Sequence, residues 1–177
     1  MLLVLLDGIY LFDLRTHDLH FHAALDAGYR GSRLEGKVGP DGAFWISGVT
    51  HAGAGLLLRF ARHGTLTRVT LEGATEPSGL EWSADGSEVF AVDLHDGRLG
   101  RWMFNPDTGQ ASRHVRFDAH GGTPAKPYGG AVDQNGAYWT CDILEGPSGE
   151  TPGTTKRLCG SPCPLLPPPR AASVVPI

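Results

Sequence analysis

Cysteine, clustered positive charge, long apolar runs and helical periodicity are all scarce in this 177-residue chain. Its 15 Lys and Arg are scattered singly and the net charge is −4. No basic stripe is available to follow a phosphate backbone, so a nucleic-acid partner is not expected. Three cysteines (Cys141, Cys159, Cys163) make no disulfide framework, which points to a reducing, cytoplasmic setting. Cys159 and Cys163 have no second Cys pair or His cluster with which to complete a zinc site. The opening run Met1-Leu-Leu-Val-Leu-Leu6 is too short to span a bilayer and follows no basic segment. It reads as a buried strand, not as a membrane span or a leader. No window carries a helical period, and no phosphate loop, nucleophile elbow or Cys/His dyad is visible.

Glycine is abundant, with 25 residues, and it recurs in a pattern. Gly36-Lys-Val-Gly-Pro-Asp-Gly-Ala-Phe-Trp45 returns as Gly79-Leu-Glu-Trp-Ser-Ala-Asp-Gly-Ser-Glu-Val-Phe90 and as Gly130-Ala-Val-Asp-Gln-Asn-Gly-Ala-Tyr-Trp139. Each copy is an apolar strand, a two-residue Asp-Gly or Asn-Gly turn of the type I′ class, and a strand opening on an aromatic residue. The turn glycines Gly42, Gly86 and Gly136 lie 44 and 50 residues apart, and a weaker copy at Asp7-Gly8-Ile9-Tyr10 precedes Gly42 by 34. Short strands repeating every 40–50 residues or so are the mark of a β-propeller blade.

The remaining strands follow in the same order within each unit. Ile9–Asp13, Gly55–Phe60 and Gly97–Trp102 occupy matching places. Turn chemistry comes next (Arg15–Asp18, Arg62–Thr65, Asn105–Gly109), then Leu66–Leu71 and His114–Phe117. The fold class is therefore all-β: a partial β-propeller of antiparallel, four-stranded blades, about three of an expected six. It reads as a fragment, or as part of a ring closed by something outside it. Open blade faces predict self-association. The repeats end near Gly146, giving a propeller region over 1–146. Residues 147–177 hold eight of the 13 prolines and no aromatic residue, so the strand pattern cannot continue and an irregular or disordered tail is expected.

First strands of propeller blades line the central channel. The repeat thus nominates the residues just before the recurring glycines: Glu35, Ser78 and Tyr128. Repeat symmetry predicts that they converge near the axis. Asp93 and Asp133 are expected to cap hairpins or bond blade backbone, and Trp45, Trp82, Trp102 and Trp139 to pack the core. His17, His20 and His22 read as a solvated turn and strand.

Several ordered blocks resemble the senescence marker protein (regucalcin), gluconolactonase and luciferin-regenerating-enzyme family. Asp7-Gly-Ile-Tyr-Leu-Phe-Asp13 is similar to its second-blade strand. Gly31–Trp45 is similar to its Arg-x-Asn-Asp-Gly-Lys-x-x-Pro-x-Gly-x-x-Trp block, and Glu76–Gly86 to its Pro-Asn-Gly-Leu-x-Trp-Ser-x-Asp-Gly block. Val92-Asp93, Asn105–Gly109 and Pro127–Gly136 follow in family order.

The resemblance implies a six-bladed propeller that hydrolyses a small-molecule sugar lactone with one divalent cation, calcium or zinc, in the channel mouth. The cation polarises the lactone carbonyl while a carboxylate activates water. It implies three metal ligands: a first-blade Glu, which has no counterpart here, the Asn of Pro-Asn-Gly and the Asp of Pro-Asp-Gly. The Asn position holds Ser78. The Asp position, catalytic as well as ligating, holds Tyr128, and a phenol is protonated at neutral pH. For substrate binding the resemblance implies Arg33 and Glu35, if one residue is deleted so that Glu35 alone represents Asn-Asp. The alternative register puts Ser32 and Leu34 at the Arg and Asn positions. The expectation is a metal-dependent lactonase scaffold with altered ligands; the alternative is a non-catalytic propeller remnant or small binding scaffold.

Overall fold

The computed structural model describes residues 1–5, 7–25, 33–50, 53–118 and 126–143, and every regular element among them is a strand. These are β1 (Leu2–Val4), β2 (Gly8–Phe12), β3 (Leu19–Ala24), β4 (Arg33–Val38), β5 (Phe44–Val49), β6 (Gly55–Phe60) and β7 (Leu66–Arg68). They continue as β8 (Pro77–Trp82), β9 (Glu88–Asp93), β10 (Arg98–Asn105), β11 (Gln110–Asp118), β12 (Lys126–Val132) and β13 (Tyr138–Ile143). Antiparallel pairing of sequence neighbours gives four sheets: β1-β2-β3, β4-β5-β6-β7, β8-β9-β10-β11 and β12-β13. The all-β, partial-propeller expectation holds. The middle two sheets have the four strands of a blade, while the first has three and the last two among the described residues. The boundary at 146 and the proline-rich tail lie outside the described residues.

The sheets stack in chain order, and successive residues of one strand serve two different layers, as the alternation of a pleated strand requires. Phe44 packs back toward the first sheet, with Ile9, Leu56, Leu58 and Phe60. Its neighbour Trp45 packs forward against Trp82, Trp102 and Phe104. Val89 and Phe90 divide in the same way between the second layer and a third that includes Tyr138. This double coverage is why β5 and β9 are buried almost throughout instead of alternating with polar residues. In the layer between the middle sheets, the rings of Trp45, Trp82 and Phe104 meet edge to face at 5.8–5.9 Å. Such contacts add about 0.5–1.5 kcal/mol each beyond area burial.

Three local readings change. The repeat turns are not two-residue type I′ turns, because only the glycines Gly42, Gly86 and Gly136 take positive φ (69°, 71° and 82°), whereas type I′ needs both central residues there. Instead the Gly42 amide closes on the Gly39 carbonyl at 2.9 Å and Gly136 on Asp133 at 3.0 Å. The pattern is a longer turn ended by a left-handed glycine. The opening strand β1 is half-buried, not buried, because among the described residues it is the sheet edge and pairs only with β2. β7 is three residues long, stopping at Arg68 where Leu66–Leu71 was expected. No helix among the described residues is long and apolar enough to cross a membrane.

Candidate functional site

Two strands begin alike. Pro77-Ser78-Gly79 opens β8 and Pro127-Tyr128-Gly129 lies at the start of β12. Gly79 and Gly129 both have positive φ, 63° and 67°, and the pairing register slips just beyond them, between Ser78 and Glu81 and between Tyr128 and Ala131. Such bulges re-aim the side chains beside them. Gly79 has a second role: a Cβ on it would sit 2.4 Å from the Gly129 carbonyl carbon, whereas one on Gly129 would meet nothing within 4 Å. Only glycine at position 79 lets these two strand starts touch backbone to backbone.

Glu35, in β4 and paired with Ser47 of β5, points its carboxylate at this contact. The Ser78 hydroxyl donates to Oε1 and Oε2, both at 3.0 Å. The Gly79 amide donates to Oε2 at 2.7 Å, and the Ser47 hydroxyl reaches the same oxygen at 3.4 Å. Ser47 and Ser78 are themselves buried. Beneath the cluster the Tyr138 hydroxyl donates to the Gly79 carbonyl at 2.7 Å. Burial pushes its phenol far above the usual tyrosine range, with the negative charges of Glu35 and Glu81 adding to the effect.

Glu35 separates two spaces. On one side Glu35, Ser47, Ser78 and Tyr128 bound a gap of about 10 Å³, at the limit for one water. On the other lies a cavity of about 250 Å³ lined by Glu35, Lys37, Trp45, Ser47, Gly79 and Leu80. Lys37 is ion-paired with Glu81. The larger space falls just under the roughly 300–1,000 Å³ of drug-sized sites, which suits a smaller ligand.

The structure therefore gathers Glu35, Ser78 and Tyr128 around one gap. Arg33 opens β4 opposite Val49; its side chain, and the whole of Ser32, fall outside the described residues. Leu34 packs into the apolar layer against the first sheet, away from Glu35. Sequence reasoning missed Ser47, Lys37 and the Gly79 amide. Lys37 was reachable, two positions along the same strand face as Glu35, whereas Ser47 needed the strand register. Asp93 accepts the Thr75 and Glu76 amides at 2.9 Å, and Asp133 accepts those of Asn135 and Ala137, the backbone-bonding role expected of them. His17 forms a turn (φ 62°), and His20 and His22 lie on β3. Cys159 and Cys163 lie outside the described residues.

The donors around Glu35 do not fit a calcium or zinc ion. Among the described residues no three His, Cys, Asp or Glu come together in a group that could hold a metal ion. The gap presents one carboxylate, already taken by two hydroxyls and an amide, against the 6–8 oxygens that calcium takes. Zinc favours His and Cys ligands, which this gap lacks among the described residues.

Comparison with known proteins agrees with the fold. A Bacillus subtilis (strain 168) protein described as "Putative sugar lactone lactonase YvrE" is 25% identical over 146 residues, covering 78% of this chain and 49% of that protein. The structure of a calcium-binding protein, regucalcin, from Agrobacterium tumefaciens superposes with a TM-score of 0.70 at 29% identity, over 82% of this chain and 50% of the other. A gluconolactonase from Xanthomonas campestris shares the fold, with a TM-score of 0.58 at 20% identity, over 77% and 52%. The chain thus spans about half the length of the relatives it matches. Residues 1–148 match the SMP-30/Gluconolactonase/LRE-like region, and the chain belongs to that family.

Proposed function

We propose that this chain carries part of a sugar-lactone hydrolase ring in which the metal-ligand positions have changed, so that the 177-residue chain is a lactone-binding scaffold and not itself a metalloenzyme. Family membership supports the lactone as ligand class. The observation that carries the rest is the Glu35 carboxylate, which accepts from the Gly79 amide and from the hydroxyl of Ser78, the position where the family resemblance expects a metal-ligating Asn. In this reading Glu35 and Lys37 meet sugar hydroxyls from the 250 Å³ cavity, and Trp45 and Leu80 cover the ring carbons. Tyr128 and Ser78 stand where Asp and Asn would hold the ion. Arg33 orients the substrate in the register that places Glu35 at the site. A reducing, cytoplasmic setting fits the cysteine content.

The test is lactone ring opening followed by pH-stat with calcium, zinc or manganese present. The unaltered chain should open gluconolactone no faster than buffer. Ser78→Asn with Tyr128→Asp restores two ligand types, yet catalysis by a metal needs fixed coordination in a shaped cavity. The double variant should gain metal affinity without turnover. Metal-dependent turnover by the unaltered chain would overturn the proposal.

A further inference from the structure

Arg59 stands where the two four-stranded sheets meet. On β6 it lies opposite Trp45 of β5 and Thr67 of β7. Its Nε donates to Oδ2 of Asp41 at 2.6 Å, and the Asp41 side chain is 1% exposed. That carboxylate is fixed in turn by the Trp45 indole at 3.1 Å and the Ala43 amide at 3.3 Å. Gly109, which ends the Asn105–Gly109 turn with φ 69°, closes over the pair from the third sheet. A Cβ there would come within 2.9 Å of Arg59 Cζ and 3.0 Å of Asp41 Oδ2, so the approach needs glycine. The guanidinium is thus held through Nε. Neither Nη1 nor Nη2 has a partner among the described residues.

Arg59 lines a groove of about 750 Å³ between the outer strands of these two sheets, within the roughly 300–1,000 Å³ of small-ligand sites. On one side β7 stops at Arg68, while on the other β11 runs for nine residues. The groove shares no lining residue with the channel cavity. Its apolar part is Val69 and Phe104, at the outer end of the aromatic layer. Thr70 and Gln110 add a hydroxyl and an amide whose side chains have no partner among the described residues. Arg68 is a second cation, and no Asp or Glu lines the groove among the described residues. Asp41 offsets Arg59, so the charge of Arg68 is left over.

We propose that this groove binds a sugar carboxylate of the uronate type, a hydroxylated ring that bears one carboxylate. With Nε already on Asp41, the terminal nitrogens of Arg59 are left as a fork, the geometry that meets both oxygens of a carboxylate. Holding that fork in place before the ligand arrives lowers the ordering cost of binding. The single charge left over on Arg68 suits a monoanion better than a doubly charged phosphate. Thr70 and Gln110 meet the ring hydroxyls, and the C–H face of the ring lies on Phe104 and Val69. This cleft is separate from the Glu35 cluster, and the inference stands whether or not the channel binds lactones.

The experiment is calorimetric titration of the full chain with sodium glucuronate at low ionic strength, with glucose and inorganic phosphate as controls. Glucuronate should bind saturably at one site. Glucose, which lacks the charged partner for Arg59, should bind at least about tenfold more weakly. Arg59→Lys keeps a cation beside Asp41 but removes the fork, and should weaken glucuronate about tenfold or more. Arg68 is exposed, so Arg68→Gln should keep the melting temperature and weaken glucuronate severalfold. Lys37→Gln, in the channel cavity, should leave glucuronate affinity as it is. If Arg59→Lys does not fold, Arg68→Gln and the glucose comparison decide. No saturable binding of glucuronate overturns the proposal. So do glucose bound equally well, phosphate bound more tightly than glucuronate, and affinity indifferent to the arginine variants. A loss on Lys37→Gln overturns it too, because it would put the ligand in the channel.

Discussion

The layer between the second and third sheets and the Glu35 cluster are built by the same two blades, yet they obey different rules. The layer is made of large rings: Trp45 and Trp102 are 2% exposed, Phe104 5% and Trp82 7%. It needs only apolar residues of suitable size at the right alternation. The cluster is held by one carboxylate, two hydroxyls and an amide, and it exists only because a bulge turns Ser78 toward Glu35. The layer therefore tolerates approximate sequence matches, while the cluster depends on single residues at single positions.

The widest separation should come from truncating each side. Trp45→Ala empties the centre of the aromatic layer and frees the Asp41 carboxylate from its indole partner. It should cost about 3–5 kcal/mol in chemical denaturation. Glu35→Ala leaves the buried Ser78 hydroxyl and the Gly79 amide without their acceptor, for a cost of about 1–3 kcal/mol. Glu35→Gln should recover part of this, since its amide oxygen still accepts. Equal losses for Glu35→Ala and Trp45→Ala would erase the distinction between layer and cluster.

A finer contrast lies within the aromatic layer. The Trp45 indole donates to Asp41 at 3.1 Å, and the Trp102 indole to the Glu72 carbonyl at 3.0 Å. The Trp82 indole nitrogen is buried and finds no partner among the described residues. Trp82→Phe removes that orphan donor along with some volume, so it should cost less than Trp45→Phe, which also breaks a hydrogen bond to a carboxylate. Comparing the two melting midpoints decides this.

The smallest effect is electrostatic and appears only in acid. The hydroxyl of Ser83, then the amide and hydroxyl of Ser87, hold Asp85 down from 3.8 to about 2. A carboxyl whose folded pKa is lowered contributes stability above its unfolded value and loses it as pH falls through the folded one. The melting temperature should thus fall between pH 3.8 and about 2, and Asp85→Asn should flatten part of that fall. Asp133 is lowered in the same direction, first by the Trp139 indole, and Asp133→Asn should act alike. A steeper fall in either variant would show that these bonds do not favour the charged form.

What was legible in the sequence follows the same division. Strand order, sheet stacking and the buried positions of Trp45, Trp82 and Trp102 come from alternation and repeat, signals that many residues share. Trp139, expected in the core with them, is instead half-buried, its indole donating to Asp133. The convergence of Glu35, Ser78 and Tyr128 also followed from repeat position, because equivalent strand starts share one end of the stacked sheets. Ser47 did not follow, since its role depends on the β4–β5 register. The turn class was misread because Asp-Gly and Asn-Gly suit two geometries, and hydrogen bonding by Gly39 and Asp133 chose the longer one. β1 looked buried because its residues are uniformly apolar, although it lies on a sheet edge.

Around Glu35 the carboxylate, hydroxyl and amide satisfy one another, and the donors present do not fit a cation. Calorimetric titration of the full chain with calcium, repeated with zinc, should therefore show no saturable heat in the low-micromolar range, and no change on Ser78→Ala or Tyr128→Phe. Stoichiometric low-micromolar binding that either substitution abolishes would contradict this.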